Sequence, residues 1–194
     1  MSSYDYVIIG AGSSGSALAG RLATNKNSKI LLIEAGPKDY KPYIKLPIGY
    51  GKLFYDQSVN WKYYTEPEEN LHGKKMYWPR GKVLGGSSSI NAMVFARGSR
   101  NDFDEWGAHA SGWSWQDIEP FFRKMETWNG KSDQSRGQSG PVRVTDVSTQ
   151  AHPLTDCFLE ATEQIGISKN PDYNTGNIEG SFVYQTNTHK GLRS

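Results

Sequence analysis

The sequence holds one cysteine in 194 residues, no apolar run long enough to cross a membrane, no block of like charges and no internal repeat. Each absence excludes something. A single thiol, Cys157, cannot form an internal disulfide. It falls on the helical stripe Leu154, Cys157, Phe158, Ala161 and Ile165, so it reads as a buried spacer rather than a nucleophile, and a reducing compartment fits best. Twenty-two Lys plus Arg against twenty Asp plus Glu leave a formal charge of +2, which provides no footprint for nucleic acid or for a polybasic membrane contact. The start, Met-Ser-Ser-Tyr-Asp-Tyr, lacks the basic and apolar regions of a signal peptide. No transmembrane segment is expected, and the expected location is cytoplasmic, with peripheral attachment to a membrane left open.

What is present begins at the N-terminus. Residues 4 to 9 read as a short buried strand, Gly10-Ala11-Gly12-Ser13-Ser14-Gly15 follows, residues 16 to 25 suit a helix packed closely on a sheet, and residues 29 to 33 make a second strand ending at Glu34. This is the order of a dinucleotide-binding βαβ unit. Gly10 permits the tight turn, Gly12 lets backbone approach a pyrophosphate, and Gly15 lets helix and strand pack closely. The helix N-terminus supplies N–H groups for phosphate. Glu34, with Ala35 beside it, is placed to accept hydrogen bonds from a ribose diol. The unit alone does not distinguish FAD from NAD.

Residues 36 to 78 break this pattern with a long stretch rich in Pro, Tyr, Lys and Asn, which is expected to wrap over something and whose aromatic content argues against disorder. Within it, Asn60-Trp61 and residues 76 to 80 are expected to pair as a hairpin around 67 to 73. A second glycine motif follows from Gly81 through Val83, Gly85, Gly86, three serines (87 to 89), Ile90, Asn91, Ala92, Met93 and Val94. Its bare backbone N–H groups and hydroxyls suit a diphosphate or a flavin edge. Ser114-Trp115-Gln116-Asp117 is a capping-box pattern before an apolar face formed by Ile118, Phe121, Phe122 and Met125. Residues 154 to 165 predict another amphipathic helix, and a strand is expected near 182 to 186. His72, His109, His152 and His189 have no base-and-orienter pattern around them, and read as exposed or locally capping.

Taken together, Gly10 to Gly15, Glu34-Ala35-Gly36 and Gly81 through Asp104 resemble the N-terminal half of a glucose-methanol-choline (GMC) oxidoreductase. Gly85-Gly86, Asn91, Phe95, Gly98 and Asp104 fit that family's first signature. The resemblance continues through Trp106, Gly112 to Trp115, Gly140-Pro141 and Gly191 to Ser194. Trp78-Pro79-Arg80-Gly81-Lys82 most resembles the bacterial choline-dehydrogenase-like and alcohol dehydrogenase (acceptor) branch.

The resemblance implies an α/β fold: a Rossmann-like FAD-binding domain over 1–150, with a flavin-covering excursion at 36–110, then the start of a substrate-binding domain at 151–194, incomplete in this chain. It implies FAD as cofactor, contacted by Gly10, Gly12, Ser13, Ser14, Gly15, Glu34, Ala35, Trp61, Gly81, Val83, Gly85, Gly86, Asn91, Ala92, Met93 and Val94. It implies hydride transfer from an alcohol to the flavin, with dioxygen or another acceptor taking the electrons. Ile90 stands where tethered relatives carry a histidine, so dissociable FAD is expected. The family's catalytic histidine and its His or Asn partner are expected beyond Ser194. The implied partners are therefore an alcohol substrate and a C-terminal remainder, on the same chain or a separate one. No metal is implied. A non-enzymatic flavin-binding protein and a fatty-acid photodecarboxylase-type member remain alternatives.

Overall fold

A computed structural model describes residues 3–131 and 134–194. The chain forms two compact units, residues 1–92 with Arg193, and residues 93–192 with Ser194.

In the first unit, strand β1 (Tyr6–Ile9) lies parallel to β2 (Ile30–Ile33), with Tyr6 opposite Ile30 and Ile9 opposite Ile33. Helix α1 (Ser13–Leu22) crosses between them. The helix begins three residues before the expected position because Gly12, its extended N-cap, follows the turn directly. Ser13 and Ser14 thereby enter the first turn, where N–H groups have no partner within the helix. Residues 36–78 are not structureless: short helices α2 (Pro42–Lys45) and α3 (Tyr50–Leu53) bury Ile44 and Leu53. These join Val59, Val83 and Ile90 in one apolar cluster. Beyond them, β3 (Tyr63–Tyr64) pairs antiparallel with β4 (Tyr77–Trp78). An Asn60–Gly81 bridge and a bond from Trp61 N–H to Arg80 C=O, 2.9 Å, continue this hairpin as expected.

In the second unit, helix α4 (Arg100–His109) has no counterpart in the sequence reading, although Ser99 and Asp102 form its capping box. Helix α5 (Trp115–Met125) carries the expected box of Ser114 and Asp117. It runs into β5 (Glu126–Trp128), which lies parallel to β6 (Val142–Asp146). β6 pairs antiparallel with β7 (Gln185–Thr186), shorter than the strand expected there. Helix α6 (Leu154–Gln164) has the expected span, but its apolar stripe faces outward: Leu154, Phe158 and Ile165 are 69%, 66% and 75% exposed. Cys157 is exposed with them, which corrects the buried reading. Periodicity says which residues share a helix face; it does not say what covers that face. Among the described residues, no helix is long and apolar enough to cross a membrane, and no group of His, Cys, Asp or Glu could hold a metal ion.

Candidate functional site

The geometry of the first glycine turn explains why glycine stands at two of its positions. Gly10 has φ +96°, in the left-handed region, with open space where a side chain would start. Its N–H bonds Ile33 C=O at 2.7 Å and so extends the β1–β2 pairing into the turn. At Gly15 a Cβ would lie 2.0 Å from Gly10 C=O and 3.3 Å from the Ile8 side chain. Helix and strand are therefore in contact through backbone, as expected. Gly12 leaves its surroundings open, with only Gly86 Cα within 3.8 Å of a Cβ position.

Glu34 closes the unit from β2. Its carboxylate accepts from Ala11 N–H at 2.8 Å through one oxygen and from Gly36 N–H at 2.9 Å through the other. A carboxylate has about four lone-pair sites, so two bonds hold it against the glycine turn and leave capacity for further donors. Replacing Gly36 would drive a Cβ to 2.0 Å from Lys82 C=O. The exit from β2 is thus packed directly on the second glycine segment, where Leu84 N–H bonds Pro37 C=O at 2.9 Å.

Residues more than 70 positions apart in the sequence are brought together here. Gly85 N–H donates to Ala11 C=O at 2.8 Å, and Gly12 and Gly85 form a parallel bridge. Both Gly85 (φ +91°) and Gly86 (φ +60°) are left-handed, and a Cβ on Gly86 would meet Gly12 Cα at 2.8 Å. A Cβ on Gly81 would meet Gly86 C=O at 2.1 Å. The serine hydroxyls are less available than their sequence suggests. Ser88 Oγ donates to Gly85 C=O at 2.6 Å, Ser89 Oγ donates to Leu84 C=O at 2.8 Å, and Ser87 Oγ accepts from Gly81 N–H at 3.0 Å. They shape the turn before they offer anything to a ligand.

The other candidates are placed individually. Val83 and Ile90 are core residues, 0% and 2% exposed, so only their backbone could face a ligand. Asn91 Oδ1 accepts from Arg193 Nη1 at 2.6 Å. Ala92 is the last residue of this stretch in the first unit, while Met93 and Val94 belong to the second. Met93 is buried with φ 62°, an unusual conformation for an unbranched apolar residue. Its C=O accepts from Asn187 N–H at 2.9 Å, and Val94 bridges Thr186. Trp61 stacks on Tyr63 with ring centres 5.8 Å apart, and Lys82 Nζ sits 4.6 Å from its ring centre. All four histidines are exposed. His152 Nδ1 accepts from Leu154 N–H at 3.2 Å, a local cap at the start of α6.

Sequence reasoning missed two features. One is Arg193, which the sequence marks only as part of a terminal motif. The other is Asn60, buried in the hairpin and bonded through its side chain to Phe54 C=O (2.7 Å), Lys62 N–H (2.9 Å) and Arg80 N–H (3.0 Å). No spacing rule marks a single polar residue as the hub of a loop; only the folded chain shows that its amide replaces missing backbone partners.

A βαβ unit with a Gly-x-Gly-x-x-Gly turn, an acid at the end of β2 and a second glycine segment bonded to the first define a protein of the dinucleotide-binding class. The chain belongs to the GMC oxidoreductase family, whose model matches residues 4–194. It is 40% identical to an oxygen-dependent choline dehydrogenase of Photobacterium profundum, over 98% of this chain and 34% of the relative. It is also 40% identical to an alcohol dehydrogenase [acceptor] of Pseudomonas putida, over 98% of this chain and 35% of the relative. A solved FAD-dependent oxidoreductase from Chaetomium thermophilum superposes with a TM-score of 0.88 at 31% identity, covering 99% of this chain and 35% of that one. The chain therefore spans about a third of the length of the relatives it matches.

Proposed function

We propose that this chain is the FAD-binding portion of an oxidoreductase that oxidises an alcohol CH–OH group, with the domain division at 150 described above. The observation that carries the reading is the hydrogen-bonded junction of the two glycine segments, Gly85 N–H to Ala11 C=O at 2.8 Å, beside the Glu34 clamp. The residues fit the cofactor. Gly10 and Gly12 present bare backbone next to open space, and the first-turn N–H groups of Ser13, Ser14 and Gly15 form the positive end of α1, suited to a diphosphate. Glu34, beside Ala35, keeps lone pairs for a ribose diol. Gly81, Val83, Gly85, Gly86, Asn91, Ala92, Met93, Val94 and Trp61 serve the flavin end. When bound, FAD supplies the ring that accepts a hydride equivalent, which dioxygen or another acceptor then removes. The chain's own residues bind and orient; none is assigned the catalytic base, which belongs to a C-terminal remainder. An alcohol substrate is supported by the names of the two sequence relatives.

The test is an absorption spectrum of the native full-length protein. Flavin bands that bleach on adding choline or an aliphatic alcohol are expected; absence of flavin bands overturns the reading. Persistent bands that bleach with no alcohol would favour a non-enzymatic flavin-binding protein. Light-dependent release of carbon dioxide from a fatty acid would select the photodecarboxylase alternative.

Two further outcomes follow from particular residues. Glu34→Ala removes an acceptor for the ribose and also frees Ala11 N–H, so FAD binding is expected to weaken by about 1–3 kcal/mol. Titration of apoprotein with FAD measures this, and unchanged affinity would remove Glu34 from the site. Acid precipitation is expected to release the flavin into the supernatant, because Ile90 offers no ring nitrogen and its side chain is packed among Ile44, Leu53, Val59 and Val83. Yellow colour in the washed pellet would show a covalent bond made elsewhere.

A further inference from the structure

Arg193 is a cation without a carboxylate: among the described residues it makes no ion pair, and its contacts are all neutral acceptors. Its Nε donates to Ile44 C=O at 2.7 Å. Nη1 donates to Ser88 C=O at 2.8 Å and Asn91 Oδ1 at 2.6 Å, and Nη2 donates to Asn91 C=O at 2.9 Å. One planar fork thus joins the end of α2, the glycine-serine turn and both oxygens of Asn91. Arg193 accordingly clusters with the first unit although its sequence neighbours belong to the second. Burial without an ion-pair partner pushes its guanidinium below the ordinary value, so the charge is held on neutral acceptors alone. The bond to Asn91 Oδ1 also fixes the orientation of that side-chain amide, so its NH2 group points away from the guanidinium.

We infer that Arg193 is a positioning residue that holds Asn91 and the Gly86–Ser89 turn in their cofactor-binding arrangement and keeps an unneutralised positive charge beside that segment. This rests on the FAD reading above. Two consequences separate it from simple stabilisation. Lysine carries the charge but cannot reproduce a four-bond fork, so Arg193→Lys is expected to bind FAD roughly tenfold more weakly, the loss of about one charge-assisted hydrogen bond. A nearby positive charge favours the reduced, more negative state of bound flavin. The flavin midpoint potential is therefore expected to fall in Arg193→Met and to stay near that of the parent in Arg193→Lys.

The experiment uses the full-length protein and compares parent, Arg193→Lys, Arg193→Met, Asn91→Ala and the Arg193→Lys/Asn91→Ala double variant for FAD dissociation constant and midpoint potential. The double variant is expected to lose less than the sum of the two single losses, because Asn91→Ala already removes one of the four acceptors of the fork while its three backbone acceptors remain. If Arg193→Met does not fold, Arg193→Lys and the double variant still decide. Parent-like affinity in Arg193→Lys, additive losses in the double variant, or equal potentials in folded Arg193→Met and Arg193→Lys would each overturn the inference. A parent protein that binds no FAD would overturn the cofactor reading itself, and the inference with it.

Discussion

Replacing Glu126 with alanine is expected to destabilise the protein by about 3–5 kcal/mol, the cost of breaking a buried ion pair by removing one partner. Glu126 is 0% exposed. Its Oε1 accepts from Arg97 Nη2 at 2.6 Å, Arg136 Nε at 2.7 Å and Gly137 N–H at 2.9 Å, and its Oε2 accepts from Arg136 Nη2 at 3.1 Å. Both guanidinium groups are fully buried as well. Arg136 turns its Nη1 to Asp172, at 2.7 and 2.8 Å, and to Gln185. Arg97 reaches Asn174 C=O and Ser135 C=O. Burial is the largest influence on both arginines. It lowers Arg97 despite the attraction of Glu126, whereas at Arg136 the bonds to Glu126 and Asp172 outweigh it and the value is raised. Glu126→Ala leaves Arg97 without an ion pair among the described residues; Arg136 keeps Asp172. Glu126→Gln retains an acceptor and should cost less. Urea unfolding of the three proteins at full length measures the difference, and a loss below about 1 kcal/mol in Glu126→Ala would show that water reaches the site.

The 194-residue polypeptide produced by itself is expected to aggregate or to unfold without a cooperative transition. Among the described residues its first sheet has two strands, β1 and β2. No residue of α1 is buried, and Val7, Ile9, Leu18, Ile33 and Ile48 are 56%, 85%, 52%, 44% and 94% exposed. A two-stranded sheet is marginal alone, and unpaired edges beside open apolar surface promote association. The apolar stripe of α6 cannot relieve this, being exposed too. The check is thermal unfolding of the isolated polypeptide during FAD titration. A sharp transition that rises with added FAD would show an autonomous domain and defeat the expectation.

The sequence by itself determined the elements whose signals are local. Gly10 and Gly15 announce a turn because glycine takes a φ of +96° without strain and only glycine tolerates a backbone contact of 2.0 Å at a Cβ position. Ser114 and Asp117 announce a helix start because the cap is made within four residues. The hairpin from Asn60 to Gly81 was legible from its paired aromatic runs.

Tertiary structure decided whatever depends on residues far apart. It spent the serine hydroxyls of the second motif on their own turn, joined Gly85 to Ala11, and showed Glu34 bonded to backbone before any ligand. It exposed Cys157, because amphipathic spacing names a face without supplying its cover. It assembled Glu126 with Arg97, Arg136 and Asp172 from four separate segments, and brought Arg193 across 102 residues to Asn91. None of these follows from spacing, since a buried charge or amide takes whichever partner the fold delivers, and desolvation makes that choice matter.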